Sequence, residues 1–314
     1  MKKTLIIGGP TAVGKSEVAC LVAKRVGGEV ISADSMSVYV GMDIGTAKPR
    51  TCLREVKHHL IDILSPGDVF DAKLFEELAL RCVKDIIARG RVPLVVGGTY
   101  LYIQALLYGI PDTPPPDWKL RGYLYRIAQK RGNAYLYRKL VAIDPLYAQK
   151  VHENDLRRVV RALEVFIQTG KPFSSFHRWE KPRMSFVGFF LRREWKSIER
   201  RIEERVRWMI KHGLVEEVRK LVGEGFGNFL TSSQAIGYKE LVPYVEGRIS
   251  LEEATDKIIK RTKEYAKRQV RWFRKRGWHE INLEELSPEK ACEKILTLAD
   301  DTALSLSPRP APPS

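Results

Sequence analysis

The sequence predicts an α/β fold, a parallel sheet flanked by helices and interrupted by an all-helical insertion domain. Three observations predict it. The chain opens as strand, glycine turn and helix; short apolar runs then alternate with helical patterns as far as Val96; and a proline cluster ends that alternation and gives way to a stretch without strands.

Thr4 to Gly8 is a β-rich run, Lys15 to Val26 has the spacing of a helix, and Glu29 to Ser32 reads as a second strand. Apolar runs at Leu60–Leu64 and Val92–Val96, separated by the helical stretch Ala72–Arg89, continue the alternation. Unbroken apolar strands of this kind suit a sheet covered on both faces, and such sheets take their ligands at the carboxyl ends of the strands. Pro111, Pro114, Pro115 and Pro116 prohibit a continuous helix within Ile110–Trp118 and mark a boundary. From Trp118 to about Gly170 the pattern is helical, and Phe186–Leu191 resumes an apolar strand. The expected organisation is therefore a discontinuous core, residues 1–111 and 186–301, around an insertion spanning 112–185. Long helical patterns fill Glu194–His212, Leu214–Glu224 and Leu251–Arg276. Residues 302–314, rich in proline, serine and alanine, read as a disordered tail.

The chain has 314 residues and a 44% hydrophobic composition, enough for one substantial core and a smaller lobe. Lysine and arginine number 54 against 38 acidic residues, and the formal charge of +16 makes a polyanion the first partner to test. Cys20, Cys52, Cys82 and Cys292 are too widely spaced for a zinc-ligand pair or a redox motif. They suit scattered thiols in a reducing compartment, with no disulfide framework implied. The N-terminus lacks a secretory hydrophobic region, and no apolar run approaches the roughly 20 residues that cross a bilayer. A cytoplasmic protein is expected, with no membrane contact, as a monomer.

Gly9-Pro10-Thr11-Ala12-Val13-Gly14-Lys15-Ser16 fits G-x-x-x-x-G-K-[ST] between a strand and a helix, which makes the core P-loop NTPase-like. The glycines let the backbone wrap a phosphate, the amides and helix N-terminus donate to it, Lys15 adds charge, and Ser16 can ligate Mg²⁺. The motif does not say what the phosphates carry. A nucleotide hydrolase would add a strand ending in a metal-binding aspartate. Val92–Val96 ends instead in Gly97-Gly98-Thr99-Tyr100, and the strand-end acid near the loop is Asp34. An ATP-dependent small-molecule kinase and a non-catalytic RNA-binding module both stay open on these residues. For Asp34 and Thr99, helix capping is the alternative to chemistry.

Longer blocks carry a resemblance. Ser32-Ala33-Asp34-Ser35-Met36-Ser37-Val38-Tyr39, Gly41-Met42-Asp43-Ile44-Gly45-Thr46-Ala47-Lys48-Pro49 and Gly97-Gly98-Thr99-Tyr100-Leu101-Tyr102 are similar to blocks of the tRNA dimethylallyltransferase family, also called tRNA isopentenyltransferases or IPP transferases. His152–Asp155 with Arg157, Arg158 and Arg161, then Ile202–Met209 and Ala235–Lys239, resemble later blocks in the same order, so the likeness runs from Lys3 to Trp278. The absence of paired cysteines for a zinc finger matches the bacterial type. The resemblance implies that the phosphate loop holds dimethylallyl diphosphate. The acceptor would be the exocyclic amine of the adenosine 3′-adjacent to the anticodon, tRNA position 37, in tRNAs reading codons that begin with U. The products would be isopentenyladenosine and diphosphate.

By the same resemblance Asp34 is the general base, Thr99 offers a hydroxyl near the transferred group, and Lys15, Arg205 and a Ser16-bound Mg²⁺ stabilise the leaving diphosphate. It assigns tRNA contacts to Asp34, Ser35, Met36, Ser37, Thr99, Arg121, Arg157, Arg158, Val159, Val160, Arg161, Gln234, Gly237, Tyr238 and Lys239. The basic run from Lys260 to Arg276, with Trp272 and Phe273 interleaved, is a further surface suited to phosphate backbones.

Overall fold

A six-stranded sheet organises the computed structural model, which describes residues 3–176 and 181–304. The strands are β1 (Thr4–Gly8), β2 (Glu29–Ser32), β3 (His58–His59), β4 (Pro93–Gly97), β5 (Phe186–Arg192) and β6 (His279–Asn282). Every pairing is parallel, in the order β3-β2-β4-β1-β5-β6. All five residues of β1 are buried, which is why this central strand reads as apolar without alternation. Register sets the level of the strand ends. Gly8 lies opposite Gly97 and Ser32 opposite Val96, so β1, β2 and β4 finish side by side and their exit loops meet there.

Helices α1 (Lys15–Val26), α2 (Arg50–Glu55), α3 (Ala72–Ala88) and α4 (Tyr100–Tyr108) connect the first strands. The expected strand Leu60–Leu64 does not form. Leu60 and Asp62 adopt left-handed backbone (φ 63° and 54°), which no strand accommodates, and pairing is limited to His58 and His59 just before them.

The chain divides into two compact units, Met1–Leu107 with Arg183–Ser314, and Tyr108–Pro182. The second unit holds α5 (Trp118–Arg131), α6 (Asn133–Ile143), α7 (Pro145–Ala148) and α8 (Leu156–Thr169). Asp117, Asp144 and Asp155 cap α5, α7 and α8 by accepting backbone amides. Leu124, Leu136, Leu140, Val159, Val160 and Leu163 form its core. Within that unit lies a buried carboxylate. Glu164 accepts from Arg121 (2.9 and 3.0 Å), from Arg161 and from the Asp117 amide (2.7 Å), while Arg161 also donates to Thr113 Oγ1 and the Pro114 carbonyl.

After β5 come α9 (Trp195–Lys211), α10 (Leu214–Gly223), α11 (Tyr238–Val245), α12 (Leu251–Arg274) and, beyond β6, α13 (Pro288–Leu304). Ser250 and Glu253 close a capping box that starts α12. The helix α13 joins the core around α1, with Ala291, Cys292 and Ile295 packed in the same cluster as Val18 and Val22. It runs through Leu304, so residues 302–304 are helical where a disordered tail is expected from the sequence; the remainder of that tail, 305–314, lies outside the described residues. Among the described residues no helix is long and apolar enough to cross a membrane.

One expectation about cysteine is corrected. Cys20 of α1 and Cys52 of α2 form a disulfide across a sequence separation of 32, with Cα atoms 5.8 Å apart, leaving Cys82 and Cys292 as the free thiols among the described residues. Sequence spacing could not show this, because the pair is brought together by helices on either side of β2. Closing a loop of that length restricts the unfolded chain by about 3.7 kcal/mol. Reduction with dithiothreitol, or the Cys20→Ser/Cys52→Ser double variant, is expected to lower the unfolding midpoint in denaturant accordingly.

Candidate active site

The phosphate loop between β1 and α1 has its carbonyls turned outward onto cations. Lys15 Nζ donates to the Gly9 and Pro10 carbonyls (2.9 and 2.7 Å), Arg201 Nε to Ala12 O (2.7 Å) and Arg193 Nε to Val13 O (3.0 Å). Ala12 stands at φ 64° and Gly14 at φ 111°, the left-handed geometry that curls the loop into an anion nest. Arg205 Nη1 donates to Thr11 Oγ1 at 3.3 Å. Burial depresses the Lys15 ammonium to about 7, with Arg205 adding to the effect and Asp34 opposing it. The cradle is therefore short of negative charge, as a site for a diphosphate should be.

Asp34 leaves the end of β2 and Thr99 the end of β4, as the strand-end rule requires. Asp34 Oδ1 accepts the amides of Met36 (2.8 Å) and Ser37 (3.1 Å), so one oxygen does hold a local turn. Both of those bonds fall on the one oxygen, Oδ1. The Thr99 amide bonds to Ala33 O (3.2 Å), stitching the two strand ends, and Thr99 Oγ1 is buried without a completed hydrogen bond among the described residues. Gly97 permits that closeness, since a Cβ there would stand 2.2 Å from Ala33 O.

Thr11, Lys15, Ser16, Asp34 and Arg205 line two adjoining cavities, and Thr99 lies just behind them, after Gly97 and Gly98. One, of about 130 Å³, is bordered by Thr11, Lys15, Ser16, Asp34, Ser37, Gly97 and Gly98. The other, of about 220 Å³, is bordered by Asp34, Ser35, Met36, Ile202, Arg205, Val206, Met209, Gln234, Gly237 and Tyr238, and is the more apolar. Thr11, Asp34, Thr46, Ala47 and Tyr265 line both. The loop from Gly41 to Pro49, which gives Thr46 and Ala47 to the shared wall, is locked from behind: the Glu217 carboxylate accepts the amides of Asp43, Ile44 and Gly45 and the Tyr238 hydroxyl. Buried Lys48 further ties this loop to Asp43, Asp62 and Tyr39 O. Burial pushes the Tyr265 hydroxyl up to about 12; the nearby Asp34 charge adds to this, and the Thr99 and Gln269 side chains counter it.

The structure sorts the expected RNA contacts. Ser35, Met36, Gln234 and Gly237 border the larger cavity, Ser37 the smaller, and Lys239 is half-buried at the start of α11. Tyr238 is wholly buried and serves as cavity wall. In the insertion, Arg157 and Arg158 are exposed, whereas Val159 and Val160 are fully buried in its core and leave an RNA no side chain to touch. Arg121 and Arg161 are held by Glu164 and are therefore internal ion-pair partners. On α12, Lys263 is engaged with Glu199 and Glu203, while Lys267, Arg268, Arg271, Arg274 and Lys275 remain exposed as a basic face beside Trp272, which stacks on Tyr100.

Sequence reasoning missed Arg193, Arg201, Glu217, Tyr265 and Gln269. Arg201 carries a signal in hindsight, one turn before Arg205 on α9. Tyr265 and Gln269 share the same spacing on α12, but there they sit inside a basic run that reads as solvated surface.

Comparison with known proteins agrees with this geometry. A model of the IPP transferase family matches residues 37–276. Over 299 residues the chain is 63% identical to the tRNA dimethylallyltransferase of Aquifex aeolicus, covering 95% of this chain and 98% of that one. The crystal structure of the full-length tRNA isopentenylpyrophosphate transferase from Bacillus halodurans aligns with a TM-score of 0.70 at 38% identity, covering 96% of each chain. A eukaryotic dimethylallyltransferase acting on tRNA aligns with a TM-score of 0.82 at 29% identity, over 99% of this chain and 82% of that one.

Proposed function

The chain belongs to the IPP transferase family, and from that membership we propose how its own residues carry a dimethylallyl group from dimethylallyl diphosphate to tRNA. The enzyme is a tRNA-modifying prenyltransferase, and its acceptor is the exocyclic amine of the adenosine 3′-adjacent to the anticodon. The observation that carries the residue assignment is the convergence of the phosphate loop, Asp34 and Arg205 on two cavities with a common wall.

An adenine amine is a weak nucleophile because its lone pair is delocalised into the ring. As nitrogen attacks C1 of the donor, the C1–O bond to diphosphate breaks and the amine proton passes to the Asp34 carboxylate. Negative charge grows on the departing oxygen, where the loop amides, Lys15 and Arg205 receive it. The Thr99 hydroxyl, at the end of β4, offers a further donor near the transferred group. The apolar side chains of the larger cavity, Ile202, Val206 and Met209, keep water from the allylic carbon. The Ser16 hydroxyl and the oxygen-rich smaller cavity fit Mg²⁺, which takes most of its ligands from phosphate and water. Bound there through Ser16, the ion would neutralise diphosphate charge. The acceptor base must be drawn out of its loop; the basic face of α12 in the core and, separately, exposed Arg157 and Arg158 in the insertion are each suited to an RNA backbone. A tRNA substrate supports a cytoplasmic site of action.

The test is incubation of purified protein with unmodified tRNA, Mg²⁺ and labelled dimethylallyl diphosphate, followed by nucleoside analysis. Label on adenosine supports the assignment; an unlabelled tRNA together with ATP-dependent phosphorylation of a small molecule would overturn it.

A pH dependence arises from Lys15. Its folded-state value near 7 lies below the ordinary 10.5, so the empty enzyme holds this lysine mostly neutral at pH 8, and an arriving diphosphate restores the charge. Binding of inorganic diphosphate at pH 8 is expected to take up a proton, read by calorimetry in buffers of different ionisation enthalpy. Above pH 7 the Kd should rise by up to about tenfold per pH unit, and it should be flat in this respect below pH 6.

A further inference from the structure

Gln269 of α12 is given no part in the chemistry described above, yet it borders the smaller cavity and its side chain joins the phosphate loop to the backbone after β4. It is 3% exposed. Its Oε1 accepts the Thr11 amide at 2.8 Å and its Nε2 donates to the Gly98 carbonyl at 3.0 Å. The two bonds fix the orientation of the amide, since the reversed group would set donor against donor and acceptor against acceptor. Thr11 belongs to the phosphate loop and borders both cavities, while Gly98 directly precedes Thr99. Thr99 in turn is bonded through its amide to Ala33, the residue before Asp34. A single carboxamide thus connects the anion cradle to the strand ends that carry the other reacting groups. Space is reserved for it, because a Cβ on Gly98 would stand 2.0 Å from Nε2.

A helix needing only to fill this gap would do so with an apolar side chain, which carries no desolvation penalty. An amide is favourable here only while both of its partners stay in place. We propose that Gln269 is a positioning residue for prenyl transfer, its carboxamide setting the separation between the phosphate loop and the Gly98-Thr99 and Asp34 strand ends. The inference rests on the transfer reading given above and deepens it. In an in-line displacement the donor's diphosphate is anchored at one side of this separation and the acceptor amine is deprotonated at the other. A shift of about 1 Å between them costs on the order of 100-fold in rate without removing any contact to either substrate.

Two variants test it. Gln269→Met keeps the volume and loses both bonds; Gln269→Glu still accepts the Thr11 amide but sets an oxygen against Gly98 O. For each, and for wild type, three quantities are measured on protein whose folded fraction is established by thermal melting: the Kd for inorganic diphosphate, the KM for dimethylallyl diphosphate, and the single-turnover rate at saturating donor and tRNA. The expected result is a rate reduced about 100-fold in both variants, with diphosphate Kd within about threefold of wild type in Gln269→Glu. A wild-type rate in either folded variant, whatever its melting temperature, would reduce Gln269 to packing and overturn the proposal. So would losses of rate and diphosphate affinity in equal proportion, which would make it a binding residue. Wild type checks the transfer reading separately: if it binds diphosphate but never labels tRNA, that reading falls and takes the proposal with it, whereas wild-type labelling with intact variants sinks the proposal alone.

Discussion

Replacing Asp34 with Asn is expected to lower the single-turnover rate of prenyl transfer by about 10³-fold while leaving donor affinity within a few-fold of wild type. A positioned general base contributes about 10²–10⁴ to such a step, and the amide has no basic oxygen to offer. The substitution isolates that term. Asp34 Oδ1 holds the turn by accepting the Met36 and Ser37 amides, and the Asn carbonyl can accept the same two bonds. The turn survives; the base does not. An Asp34→Ala variant would confuse the two, since losing the turn's hydrogen bonds alone destabilises by about 1 kcal/mol. If Asp34→Asn turns over at the wild-type rate, the residue is a turn-forming aspartate and the deprotonation must be sought elsewhere.

The second large effect concerns stability of the insertion. Glu164→Ala leaves Arg121 and Arg161, with side chains 16% and 23% exposed, without their carboxylate, and an uncompensated charge pair of this kind costs about 3–5 kcal/mol. Urea unfolding followed by circular dichroism should show it. Burial works to raise the Glu164 carboxyl, but hydrogen bonds from Arg121, Arg161 and the Asp117 amide overcome it and hold the group below its ordinary value of 4.5. Because the folded-state value is depressed, the corresponding stability is fully present above pH 4.5 and is lost as pH falls below it. A Glu164→Ala variant as stable as wild type, with tRNA affinity reduced instead, would return Arg121 and Arg161 to the role of RNA contacts.

Much of the site was legible because it is encoded locally. The spacing from Gly9 to Ser16 specifies a loop whatever surrounds it, and Asp34 and Thr99 each come just after a recognisable strand, so the register of β1, β2 and β4 brings them together. What escaped depends on partners distant in sequence. An arginine on a basic helix reads as free, and only the folded insertion reveals that Glu164 binds two of them. Gln269 is silent for the same reason, with partners 258 and 171 residues away. The expected strand at Leu60–Leu64 failed differently. Its apolar composition is genuine, but two left-handed residues make it a loop whose Leu64 bridges to Tyr39 instead of extending the sheet.

The Thr99 hydroxyl is buried near Tyr265 without a completed hydrogen bond among the described residues, and that has a cost in the folded protein. A polar group shut away from water without a partner disfavours the folded state by about 1–3 kcal/mol, and the isosteric Thr99→Val removes that burden. Such a variant should melt at a higher temperature than its parent and yet prenylate more slowly. The protein is thereby held below its attainable heat resistance by a single buried oxygen.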